Sequence, residues 1–93
     1  MTKPTARTVV ESIQVSSVVD AHVIQYERLE QAFDALKWFI ARNPEAGIPL
    51  DDYHWLYKQK GDTLLNIPSL VVIYTFDADY VELIHILIRL PGL

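Results

Sequence analysis

The sequence predicts an α+β domain of two layers: an N-terminal strand, a long helix or helical hairpin, then a three-stranded antiparallel meander. Three observations predict it. Apolar residues recur with period two over residues 8–16. They recur at spacings of three or four over residues 18–42. They form β-branched runs over residues 69–76 and 80–89, separated by a short acidic turn.

In residues 8–16, Val9, Glu11, Ile13 and Val15 alternate with Val10, Ser12, Gln14 and Ser16. That is a strand with one mostly apolar face. Glu11 on that face places the strand's start after it, or the strand at a sheet edge. Across residues 18–42, His22, Tyr26, Leu29, Phe33, Leu36 and Ile40 form a stripe that Ala32 and Phe39 widen, with Glu27, Glu30, Gln31, Asp34 and Lys37 opposite. Ser17 or Asp20 caps this helix, and Asn43-Pro44 ends it, because proline disfavours helix at the residue before it. A break near Tyr26 would make a hairpin, although no Gly or Pro marks one.

Residues 44–52 read as a loop punctuated by two prolines and a glycine. Residues 53–59 alternate as a strand, with Tyr53, Trp55, Tyr57 and Gln59 on one face and His54, Leu56 and Lys58 on the other. Lys60-Gly61-Asp62 is turn chemistry, and Leu64 and Leu65 are expected to extend the pairing before Pro68. Residues 69–76 are apolar on both faces, as in a central strand. Asp77-Ala78-Asp79 turns the chain. Residues 80–89 then place Val81, Leu83, His85 and Leu87 opposite Tyr80, Glu82, Ile84, Ile86 and Ile88. The β-branched content favours strand over helix there. One domain spans residues 1–93, with residues 1–7 expected to be flexible.

Composition bounds the function. In 93 residues the hydrophobic fraction is 51%, enough for a core, and the formal charge is −4. An acidic balance argues against a protein built chiefly to grip phosphate backbones. Without cysteine there is no disulfide, thiol nucleophile or cysteine zinc site. Three glycines build no phosphate loop, and no His-x-x-x-His or calcium-loop spacing occurs, so no cofactor or metal is expected. No secretory signal opens the chain, and residues 80–90 are too short and too interrupted by Glu82, His85 and Arg89 to cross a membrane. A cytoplasmic location is the expectation.

Four pieces of the sequence carry a resemblance: Leu36-Lys37-Trp38-Phe39-Ile40-Ala41-Arg42-Asn43-Pro44; the loop from Gly47 into the aromatic strand at Tyr57; Pro68-Ser69-Leu70-Val71-Val72-Ile73-Tyr74; and the acidic turn before Val81 to Ile88. In this order the chain resembles the RelE/ParE toxin superfamily of bacterial type II toxin–antitoxin modules, the plasmid-stabilisation type, over roughly residues 8–90. The resemblance implies a strand, a helical hairpin and a three-stranded antiparallel unit, and a cognate antitoxin as partner. RelE-like members are ribosome-dependent mRNA endoribonucleases that use basic residues on the sheet face. ParE-like members bind DNA gyrase and lack that set. Here Lys58 and Lys60 stand for the nucleases' basic pair, and Arg89 matches the basic position after the last strand. Ile67-Pro68-Ser69 replaces the arginine at a strand start, and no aromatic or imidazole follows Arg89. RNA cleavage requires charge stabilisation and a proton-transfer pair. This set therefore favours a ParE-like binder, or a toxin relative that has lost toxicity, over a working nuclease.

The catalytic candidates are Lys58, Lys60 and Arg89. The binding candidates are His54, Trp55, Tyr57, Lys58, His85 and Arg89. If the two strand faces coincide, His54, Lys58, His85 and Arg89 form a polar patch in an apolar sheet. The plainer reading is half-buried histidines bonded to backbone and a snorkelling arginine. Trp55 and Tyr57, with Tyr53 and Tyr74, read either as a base-stacking platform or as core. An exposed Trp38 would mark a partner surface. A non-toxic homo-oligomeric structural or interaction domain, such as a homodimer whose second subunit covers surplus apolar surface, is the third expectation.

Overall fold

Ser12 is where the first strand stops. Its N–H still bonds the Leu83 carbonyl at 3.0 Å, but its hydroxyl accepts the Val15 N–H at 3.2 Å, which caps a helix. The computed structural model describes residues 6–90, so the expected flexibility of residues 1–7 lies outside the described residues up to residue 5. Arg7 is anchored: its N–H bonds the Ala41 carbonyl and its Nε the Asp77 carbonyl.

The chain runs β1 (Thr8–Glu11), α1 (Ile13–His22), α2 (Leu29–Arg42), β2 (Ile48–Pro49), β3 (Trp55–Gln59), β4 (Ser69–Phe76) and β5 (Tyr80–Arg89), with a 3₁₀ turn at Pro44–Ala46. The strands form one mixed sheet in the order β1-β5-β4-β3-β2, with β1 parallel to β5 and the other neighbours antiparallel. The α+β class holds. The three-stranded meander does not stand as a unit: β3, β4 and β5 are the middle of a five-stranded mixed sheet, and β1 and β2 flank them.

Two boundaries differ from the sequence pattern, each for a physical reason. The strand expected over residues 8–16 gives way to helix because Val15 and Val19 are four apart as well as in alternating phase. Both are buried on α1, so the stretch satisfies either period and tertiary packing chooses. The helix expected over residues 18–42 is two helices. The turn between them is closed by the N–H groups of Gln25 and Tyr26 on the His22 carbonyl, both at 3.0 Å, and Tyr26 is buried in the core. Two short helices lay more apolar surface on one sheet face than a single rod of about 37 Å could.

Val15, Val19, Leu29, Ala32, Phe33, Leu36 and Ile40 from the helices meet Leu70, Val72, Tyr74, Val81, Leu83 and Ile86 from the sheet. Burying such side chains, at about 1.5–3 kcal/mol each, is the main drive for folding. Tyr74 is fully buried and its hydroxyl donates to the Pro44 carbonyl. Gly47 passes so close to that hydroxyl and to the Leu56 carbonyl that a Cβ there would collide with both.

β5 holds a bulge that the alternation pattern does not reveal. Ile73 lies opposite His85 and Tyr74 opposite Leu83, so Ile84 is the extra residue. Before it Val81 and Leu83 face the helices; after it Ile86 does. His85 and Leu87 therefore do not share a face with Val81 and Leu83. The Ser12 hydroxyl donates to the bulge carbonyl of Ile84 at 2.8 Å. Leu64 and Leu65 do not extend a strand either. They sit in an exposed turn between β3 and β4.

Candidate functional site: the uncovered sheet face

Because both helices pack on one side of the sheet, the other side is open. The register assigns its residues. Gln59 faces α2, since its side-chain amide donates to the Ala32 carbonyl at 2.8 Å. Lys58, its neighbour, points the other way. Lys58 pairs with Val71 and Val71 with Leu87; Leu56 pairs with Ile73 and Ile73 with His85; Ser69 pairs with Arg89. The open face thus has an apolar middle of Leu56, Val71, Ile73 and Leu87, with Lys58, His85 and Arg89 around it.

At the end of this face a cavity of about 360 Å³ is lined by Lys58, Lys60, Ser69, Val71, Leu87 and Arg89, among others. All three catalytic candidates come together here. The loop entering it is held by the Gly61 N–H on the Ser69 hydroxyl at 2.8 Å. Ion pairs among the described residues join Lys37 to Glu11 and Asp34, and His54 to Asp51. None involves Lys58, Lys60 or Arg89. Three cations over an apolar floor, with no described carboxylate between them, suit an anionic or acidic ligand.

The other candidates divide. His85 is exposed on the same open face. His54 stays out of the cluster: it precedes β3, where its Nδ1 lies 2.9 Å from Asp51 Oδ2. The backbone N–H of Tyr53, then the His54 side chain and N–H, hold the Asp51 carboxyl below its ordinary range. Trp55 and Tyr57 turn to the helix side, half-buried against the core. Tyr57 stacks on Phe39 at 5.4 Å between ring centroids, and Trp55 packs on Phe76 at 5.4 Å. They therefore form no stacking platform on the open face. Trp38 is 59% exposed, and the Arg42 guanidinium lies over its ring at 4.2 Å.

Burial raises the Tyr74 phenol above its ordinary range, in keeping with a structural hydroxyl. No group of three or more His, Asp or Glu residues that could hold a metal exists among the described residues, and no helix among them is long and apolar enough to cross a membrane. Sequence reasoning missed Ser69, Val71 and Leu87 as cavity lining. Leu87 was misplaced because a bulge leaves no mark in the alternation. No family model, curated protein or solved structure matches the chain.

Proposed function

We propose that this chain is a toxin-like component of a type II toxin–antitoxin module, ParE-like in acting by binding a cellular protein such as DNA gyrase, with an antitoxin as its neutralising partner. The observation that carries it is the uncovered sheet face, apolar in the middle and cationic at one end. The succession of an N-terminal strand, two helices and then antiparallel strands also fits the order that the resemblance implies. One observation favours a second reading, a ribosome-dependent mRNA endoribonuclease: Lys58, Lys60 and Arg89 line a single cavity. They could stabilise a scissile phosphate. His85 lies on that face as a candidate proton-transfer group.

Inducible expression in a bacterial host separates the readings. Growth arrest with filamentation and intact mRNA supports the binding toxin. Arrest with cleaved mRNA, relieved by Arg89→Ala, supports the nuclease. Normal growth with soluble, folded protein overturns both.

A further inference from the structure

Four leucines gather at the end of the sheet that holds the cation cavity. Leu64 is 96% exposed in the β3–β4 turn, Leu65 beside it is half-exposed, Leu87 lies on the open face, and Leu90 follows β5. The topology places them together, since the end of β3, the start of β4 and the end of β5 are neighbours. A lone exposed leucine is ordinary; several at one end of a sheet, with Leu87 lining the cavity there, mark an interaction surface.

The turn that presents Leu64 is braced. The Asp62 carboxylate accepts the N–H groups of Leu64 at 2.9 Å and Leu65 at 3.2 Å. Asp62 and Ile67 exchange backbone hydrogen bonds, both at 2.9 Å. Asn66 takes the left-handed conformation at φ 55°, which asparagine tolerates better than most residues. Gly61 passes against the Ile67 carbonyl and leaves no room for a Cβ. A leucine held on such a turn loses little backbone freedom when a partner covers it.

Charge selects the occupant. Lys58, Lys60 and Arg89 stand beside the leucines without a described carboxylate partner, on a chain whose net charge is −4. Across a two-fold axis a second copy would set this patch against itself, cation on cation. A nucleic acid would leave the leucines without apolar cover, and the nearby aromatics Trp55 and Tyr57 face the helices instead of a base. An acidic amphipathic segment meets both demands: carboxylates over the three cations and apolar side chains over the leucines.

We infer that this end of the sheet, from Leu64 and Leu65 across the Lys58–Lys60–Arg89 cavity to Leu87, docks an acidic amphipathic segment of a partner protein. The inference rests on the reading of the open face as the working surface and names the chemistry of its partner. The test titrates ¹⁵N-labelled full-length protein with a soluble synthetic amphipathic peptide bearing glutamates on one face and leucines on the other. A lysine-for-glutamate version and an oligouridine serve as competitors. Expected are amide shifts at Lys58, Lys60, Leu64 and Arg89, weaker binding at high salt, and at least a tenfold loss of affinity in both Leu64→Ser and the pair Lys58→Glu/Arg89→Glu. These exposed positions leave the thermal melt unchanged. Shifts confined to other surfaces, equal binding of the lysine peptide, displacement by oligouridine, or a concentration-dependent dimer that Leu64→Ser dissolves would each overturn it. Growth arrest scored in parallel keeps the two readings apart. Arrest without peptide binding removes this inference and leaves the toxin; binding without arrest supports it and removes the toxin.

Discussion

Ser12 serves two elements with one hydroxyl. It accepts from Val15 to start α1 and donates to Ile84 to hold the β5 bulge. Ser12→Ala is expected to cost about 1–2 kcal/mol, a lost cap plus a carbonyl left short of a partner, read as a lower urea midpoint at unchanged slope. Tyr74→Phe removes the hydroxyl that donates to the Pro44 carbonyl in a buried contact and should cost about 1–2 kcal/mol in the same experiment. Two turn carboxylates give the fold an acid limit. Asp77 accepts the N–H groups of Asp79 and Tyr80, each at 2.8 Å, which hold its carboxyl below the ordinary 3.8. Asp51 is lowered in the same direction. A lowered folded pKa stabilises above the unfolded value, and the contribution is lost as pH falls through the folded one. Stability should therefore decline as pH drops below the ordinary carboxylate value, and Asp77→Asn should flatten the decline. A melting series across acid pH checks it.

At the scale of elements, β5 decides what the open face contains. Without the bulge, strict alternation would send His85, Leu87 and Arg89 toward the helices and Ile86 and Ile88 outward. Deleting Ile84 would set His85 directly after Leu83, so His85, Leu87 and Arg89 keep the open face and Ile86 and Ile88 the helix side. The deletion is expected to preserve a cooperative fold and to cost about 1–2 kcal/mol through loss of the carbonyl that Ser12 bonds. Circular dichroism of the deletion variant checks this. α2 carries most of the helical core contribution, with Leu29, Leu36 and Ile40 fully buried, whereas α1 buries only Val15 and Val19. Leu36→Ala should cost about 2–5 kcal/mol. Hydrogen exchange should show α1 opening more readily than β4 and β5.

Across the whole molecule, the helices on one side and the open sheet on the other separate stability from interaction. Lys58, Leu64, His85 and Arg89 contribute no core contact, so Lys58→Glu/Arg89→Glu should change stability by no more than about 0.5 kcal/mol per site. In the proposed toxin it should still abolish growth arrest. Denaturation and growth curves of the same variant check both halves, and a variant that unfolds would sink the separation.

The amino-acid pattern by itself determined the α+β class, the strands over residues 69–76 and 80–89, the amphipathic face of α2 and the turn at Asp77. These follow from local periodicity and turn chemistry, which neighbours in sequence impose. It also singled out Lys58, Lys60 and Arg89, which converge on one cavity. Only the tertiary structure decided the rest. Val15 and Val19 fit strand or helix until the core selected helix. The break between α1 and α2 carries no proline or glycine and exists because both helices must cover the sheet. β1 joins the sheet beside β5, a pairing between residues some seventy positions apart in the chain. The single extra residue at Ile84 leaves composition and alternation unchanged, yet it sets which side chains face solvent. Local sequence encodes period; packing and register choose the phase.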